Sequence, residues 1–219
     1  MDRAQYIQQL GNLREDLLRL GSMVEYALIN AVRSLEHWDT VAAANVINND
    51  DPINEARRRI EDHVIRLIAG QILSEEEPRL LGSVFAIAGE LERIGDYAVS
   101  IARRVQRITN QANIVVPPQG FSELVLYAKH MLNASLESFV RQDIELAYSL
   151  RKQEERVDEL EEQIQNDLIA LARQEPERIE SIVGMLDIVH ALERVADRAT
   201  NIAGRVIYLT VNIPEELNP

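Results

Sequence analysis

Two pairs of carboxylates give the first hint of chemistry. Glu92 and Asp96 stand four residues apart, and so do Glu193 and Asp197, each acid lying 101 positions from its counterpart. Four residues make about one helical turn, so each pair occupies a single face. Like charges placed this way repel by a few tenths of a kcal/mol. A second set recurs at an offset of 104, with Asp50 and Asn54 matching Glu154 and Asp158. Acid pairs on one helix are often ordinary solvated charge, and the run 154–162 reads mainly as a solvated face. Their return in register is what singles them out. Built twice, with further acids beside them, they call for a compensating cation. Oxygen-only donor sets suit hard or borderline ions such as Mg²⁺, Mn²⁺, Ca²⁺ or iron.

The acids sit in a duplicated stretch. Residues 85–105 aligned with 186–206 share 10 identities in 21 positions, including Leu-Glu-Arg and the following Asp in register. That is an internal duplication. At about 100° per residue, Ile87, Leu91, Ile94, Ala98, Ile101 and Val105 form a core stripe in the first copy. Ile188, Leu192, Val195, Ala199, Ile202 and Val206 form it in the second. The acid pairs fall on the opposite side and are expected to face outward. Ala88, Gly89 and Gly95 flank one pair, and Ala196, Thr200 and Gly204 the other, a choice expected to leave the carboxylates accessible.

The elements that position these residues follow from period and punctuation. Apolar residues at steps of three and four predict a first helix over 5–36. Asp39 is a good N-cap for a second helix reaching 68, in which Pro52 predicts a kink or a break with a new first turn. A turn is expected at 70–73. Ser74 with Glu77 then reads as a capping box, with Pro78 in the tolerant first turn of a third helix that runs to 108. Residues 109–120, with the Pro117-Pro118 pair, read as a linker. The pattern restarts with a fourth helix over 122–141. Asp143 mirrors Asp39, a fifth helix reaches 173, Gln174-Glu175-Pro176 turns the chain, and a sixth helix ends at 211. No period-two strand pattern occurs. The expected fold is all-α: two tandem three-helix bundles related by internal duplication, residues 1–112 and 121–219, joined by 113–120.

Composition narrows the function. A 5% aromatic share within 46% hydrophobic residues favours helices over sheets. The net charge of −13 argues against nucleic acid and anionic lipid as partners. With no cysteine, disulfides, thiolate zinc sites, iron–sulfur clusters and cysteine nucleophiles are excluded. The sequence carries no pattern of a signal peptide or a membrane span, so a cytoplasmic protein without direct membrane insertion is expected. Of the scattered histidines His37, His63, His130 and His190, none completes a Glu-x-x-His motif, and His190 reads as a helix-face residue. Glycine-rich phosphate loops, a Gly-x-Ser-x-Gly elbow and a nucleophile–base constellation are absent, so a non-enzyme is expected.

The paired motifs Leu91-Glu92-Arg93-Ile94-Gly95-Asp96 and Leu192-Glu193-Arg194-Val195-Ala196-Asp197, one in each half of a duplicated helical chain, resemble the PhoU family of phosphate-specific transport accessory proteins. The resemblance spans the whole chain. It implies two three-helix bundles related by a pseudo-two-fold, and Glu/Asp-x-x-x-Asp motifs holding multinuclear iron, zinc, manganese or magnesium; a homodimer is expected on separate grounds, as symmetric pairs are the commonest assembly. Carried over position by position, those motifs are Glu92/Asp96, Glu193/Asp197, Asp50/Asn54 and Glu154/Asp158. The implied role is negative regulation of the phosphate-starvation response, linking the ATPase subunit of a phosphate ABC transporter to a sensor histidine kinase. Two departures stand out. Asn54 replaces a carboxylate, which weakens the first set. Ala196 and Arg198 replace a Gly-Asp-His type of ending and put positive charge beside Asp197. The alternatives are a metal-dependent enzyme acting on phosphate compounds and a purely structural helical scaffold.

Overall fold

The computed structural model describes residues 3–70 and 77–211. They form α1 (Arg3–His37), α2 (Thr40–Asn48), α3 (Asp50–Ala69), α4 (Glu77–Thr109), α5 (Phe121–Arg141), α6 (Ile144–Gln174) and α7 (Ile179–Val211), with a 3₁₀ turn at Pro176–Arg178. No strand occurs among the described residues. The chain is all-α, two three-helix bundles in tandem: α1, the α2–α3 pair and α4, then α5, α6 and α7. Of the expected turn at 70–73 and the capping box, residues 71–76 lie outside the described residues.

The duplication extends to backbone detail. At the end of α1 a residue with positive φ, Trp38 at 51°, turns the chain; at the end of α5, Gln142 does so at 53°. The next residue is an aspartate in both halves. Asp39 accepts from the amides of Val41 and Ala42, each at 2.9 Å, and Asp143 from that of Leu146 at 2.9 Å. Their own amides donate to Ser34 and Ser138 carbonyls at 2.9 and 3.0 Å. Neither Trp nor Gln favours a left-handed backbone, so the surrounding bonds hold both joints.

The second leg differs between halves. In the first, the chain breaks at Asn49, and Pro52 falls in the first turn of α3, where its missing N–H costs no helical bond. In the second, α6 runs unbroken.

The predicted core stripes are buried in both halves, from Ile87 to Val105 on α4 and from Ile188 to Val206 on α7. These two helices are also the central elements that join the bundles, packed against each other along their length. The approach is close: a Cβ on Gly184 of α7 would stand 2.7 Å from Ile108 Cγ1 of α4. Arg104 pairs with Asp187 across the same seam at 2.9 Å. The linker is pinned too, since the amide of buried Val115 donates to Ser181 Oγ at 2.8 Å.

Candidate metal centre

In the first bundle, α3 lies against α4 and brings Asp50 and Asn54 to Glu92 and Asp96. Gly95, between the two α4 acids, makes room for this: a Cβ there would meet Ile53 Cγ2 of α3 at 3.2 Å. Asn54 Nδ2 donates to Asp50 Oδ2 at 2.8 Å, while Asp50 Oδ1 is buried without a hydrogen-bond partner. Arg57 Nε lies 3.4 Å from Glu92 Oε1, and Arg57 Nη1 bonds Glu61 at 2.6 Å. Partial burial raises the Glu92 carboxyl above the usual range, and Asp96 and Asp50 add to this while Arg57 opposes it. Asp96, at the open rim, is raised by lost solvent and then by Asp50, against the pull of Arg103 and Arg57.

In the second bundle, α6 and α7 bring together Glu154, Asp158, Glu193 and Asp197. Glu154 is only 7% exposed, and its Oε1 has no hydrogen-bond partner. Burial, then Asp197, Asp158 and Glu193, push its carboxyl up to about 7, against a hydrogen bond with Thr200. Glu193 is also pushed up to about 7, by burial and then Glu161, with Arg194 and His190 opposing. Asp158 is raised by burial, Glu161 and Asp197. Arginines hold Asp197: Arg194 Nη2 at 2.7 Å and Arg198 Nη2 at 3.0 Å from Oδ2. Arg198 also reaches Glu90 of α4 at 3.3 Å, and Arg194 hydrogen-bonds Tyr97, so both tie this cluster to the other half.

Each predicted set of four thus lies on one seam between two helices, its carboxylates within electrostatic reach of one another, but in neither set do three carboxylates bring ligand atoms within 4.8 Å of each other. Two expectations fail. Asp197 does not face outward: it is buried at 5% exposure, because α7 is packed by α4 as well as by α5 and α6. The small residues do not all open the site either. Ala88, Gly95, Ala196 and Thr200 are buried, and at Gly95 the missing side chain lets a neighbouring helix approach.

Sequence reasoning passed over two groups. Glu161 belonged to the run read as a solvated face, and His190 to an exposed helix face. Yet His190 Nδ1 lies 3.1 Å from Glu161 Oε1 and 3.3 Å from Glu193 Oε2. The signal was available: Glu161 is two turns beyond Glu154 on the same face, and His190 is one turn before Glu193. The other histidines bond elsewhere, His63 to Gln9, His130 to Gln153 and His37 to the Arg33 carbonyl.

Comparison with known proteins agrees with this architecture. The PhoU domain model matches residues 17–105 and again 121–206. The phosphate-specific transport system accessory protein PhoU homolog of Clostridium acetobutylicum is 31% identical over 219 residues, covering 100% of both chains. The PhoU homolog of Pseudomonas aeruginosa is 30% identical, covering 94% of this chain and 85% of that one. The crystal structure of PhoU from P. aeruginosa superposes with a TM-score of 0.89 at 29% identity, over 95% of this chain and 100% of that one. That of the phosphate transport system regulatory protein PhoU from Streptococcus pneumoniae gives 0.89 at 26%, over 96% and 99%. With both halves matched by the domain model and a full-length relative above 30% identity, this chain belongs to the PhoU family.

Proposed function

We propose that this chain is a metal-binding regulatory accessory protein of phosphate transport that restrains the phosphate-starvation response. Its two acid clusters hold divalent or iron-type cations: Asp50, Asn54, Glu92 and Asp96 in the first half, Glu154, Asp158, Glu193 and Asp197 in the second. The observation that carries the metal reading is Glu154, whose buried Oε1 has no donor while three further carboxylates crowd round it. An uncompensated buried carboxylate is expensive, and a bound cation supplies the missing charge. Asp50 Oδ1, also buried and unpartnered, makes the same demand in the first half. When bound, the cation supplies positive charge and cross-links the helices; the carboxylates hold it.

The regulatory part is supported by the names of the relatives, which describe accessory and regulatory proteins of phosphate transport. The motif resemblance supplies the partners, a transporter ATPase subunit and a sensor histidine kinase. No helix among the described residues is long and apolar enough to cross a membrane, which fits an adaptor that reaches the membrane through partners.

The test pairs chemistry with biology. Elemental analysis of the purified parent should find metal that a Glu92→Gln/Asp96→Asn/Glu193→Gln/Asp197→Asn variant has lost. In cells lacking the chain, the parent should restore repression of a phosphate-starvation reporter in high phosphate, and the variant should not. A metal-free parent, even after loading with Fe²⁺, Mn²⁺ and Zn²⁺, would remove the metal from the account. Repression unaffected by the chain would remove the regulation.

A further inference from the structure

Aligning the two halves by their own offsets exposes a substitution of charge. Arg57, whose guanidinium stands beside Glu92, corresponds at the 104-residue offset to Glu161; Gly89 corresponds at the 101-residue offset to His190. Glu193, the counterpart of Glu92, therefore faces a second carboxylate and an imidazole where Glu92 faces an arginine. The first half brings its own cation to this position. At the matching position of α6 the second half has Glu161, and its arginine comes instead from α7, Arg194 standing 3.8 Å from Glu193 Oε1.

We propose that Glu161, His190 and Glu193 form a site for a borderline transition-metal ion of the Zn²⁺ type, with one nitrogen and two oxygen ligands. The proposal deepens the metal-binding reading above and shares Glu193 with it. One donor atom from each residue converges within 4.8 Å of the other two. In a tetrahedral site with bonds of roughly 2.0–2.1 Å, neighbouring ligand atoms stand about 3.3 Å apart. Here the His190 Nδ1–Glu161 Oε1 and His190 Nδ1–Glu193 Oε2 separations are 3.1 and 3.3 Å. Two of the three edges among the ligand atoms are already at coordination length, and the third, between the two carboxylates, lies within 4.8 Å.

Hydrogen bonding points the same way. A neutral imidazole carries at most one hydrogen on Nδ1. His190 Nδ1 bonds Glu161 Oε1, which also accepts from Gln165 Nε2 at 2.8 Å. Glu193 Oε2 is buried and has no hydrogen-bond partner. On the far side of Glu193 stands Glu154, nine-tenths buried with its own Oε1 unpartnered, while Arg194 stands 3.8 Å from the other oxygen of Glu193 with its Nη2 on Asp197 at 2.7 Å. A cation at the point of convergence satisfies all three ligand atoms. His190 is 62% exposed, which leaves water access to the remaining coordination position. The imidazole also sets the preference, since nitrogen donors favour Zn²⁺, Fe²⁺ or Ni²⁺ over Mg²⁺ and Ca²⁺.

The experiment is Zn²⁺ binding by equilibrium dialysis of chelator-treated protein, with Co²⁺ absorption as a second readout. The parent should bind Zn²⁺ and give the visible bands of four-coordinate Co²⁺. His190→Ala and Glu161→Gln should each weaken that Zn²⁺ at least about tenfold and remove the bands. Glu92→Gln/Asp96→Asn should keep that Zn²⁺ and the bands, losing only metal held by the first cluster. Because His190 is exposed, its replacement should leave the far-ultraviolet circular dichroism unchanged, separating ligand loss from misfolding. Zn²⁺ bound to His190→Ala with the parent's stoichiometry and affinity overturns the site. If Glu92→Gln/Asp96→Asn then sheds metal, the wider reading survives that failure. A parent that binds neither Zn²⁺ nor Mn²⁺ overturns both.

Discussion

At their helix joints the two bundles are near copies. Trp38 and Gln142 take the same left-handed turn, Asp39 and Asp143 cap the next helix, and Ser34 and Ser138 receive the same backbone bond. At their acid clusters they part. The first cluster starts on the opening turn of α3, where the helix dipole favours the Asp50 carboxylate. It lies nearer solvent, and Arg57 stands beside Glu92. The second sits mid-helix with Glu154 and Asp197 buried, with Glu161 in the place of Arg57 and two arginines drawn onto Asp197. The duplicated frame has kept its joints and core while the counter-ions have been reassigned. Joint geometry and packing are constrained at every position, but a charge can be balanced by any cation that reaches it.

The comparison can be broken first through the core. Leu91 and Leu192 are equivalent and fully buried, so Leu91→Ala and Leu192→Ala should each destabilise by about 2–5 kcal/mol in urea unfolding. A large loss at one and near-neutrality at the other would show that the frame is not shared.

A smaller effect should separate the halves. Glu154 and Glu193 are raised from an ordinary 4.5 to about 7. Between those values the folded chain holds more protons than the unfolded one, so its stability falls as pH rises across the window. In EDTA, these two groups should give a higher Tm at pH 5 than at pH 7.5. Glu154→Gln removes a buried charge and should flatten that slope, raising Tm at pH 7.5. An unchanged slope would mean that Glu154 is compensated within the protein.

Much of this was legible in the sequence because it is local. Stripes such as Ile87, Leu91 and Ile94, the Asp39 and Asp143 caps, and the repeated acids all follow from spacing along one helix. What was missed depends on neighbours. A helical wheel puts Asp197 opposite the core stripe but does not show that α7 is enclosed from other sides. Gly95 and Ala196 looked like access and serve as packing surfaces. His190 and Glu161 carry no signal alone; they meet only because α6 and α7 bring them together. The offsets of 101 and 104 would have exposed the Arg57-to-Glu161 exchange had they been applied beyond the acids.

The most direct test of the account is a Mn²⁺ titration of the metal-free protein, with free ion followed by electron paramagnetic resonance. The parent should show two classes of site, the tighter in the second half, where four carboxylates replace three and an amide. Glu154→Gln should abolish the tighter class and spare the weaker, and Asp50→Asn should do the reverse. Binding indistinguishable from the parent in both variants would contradict the account and leave the acid clusters as charge without a ligand.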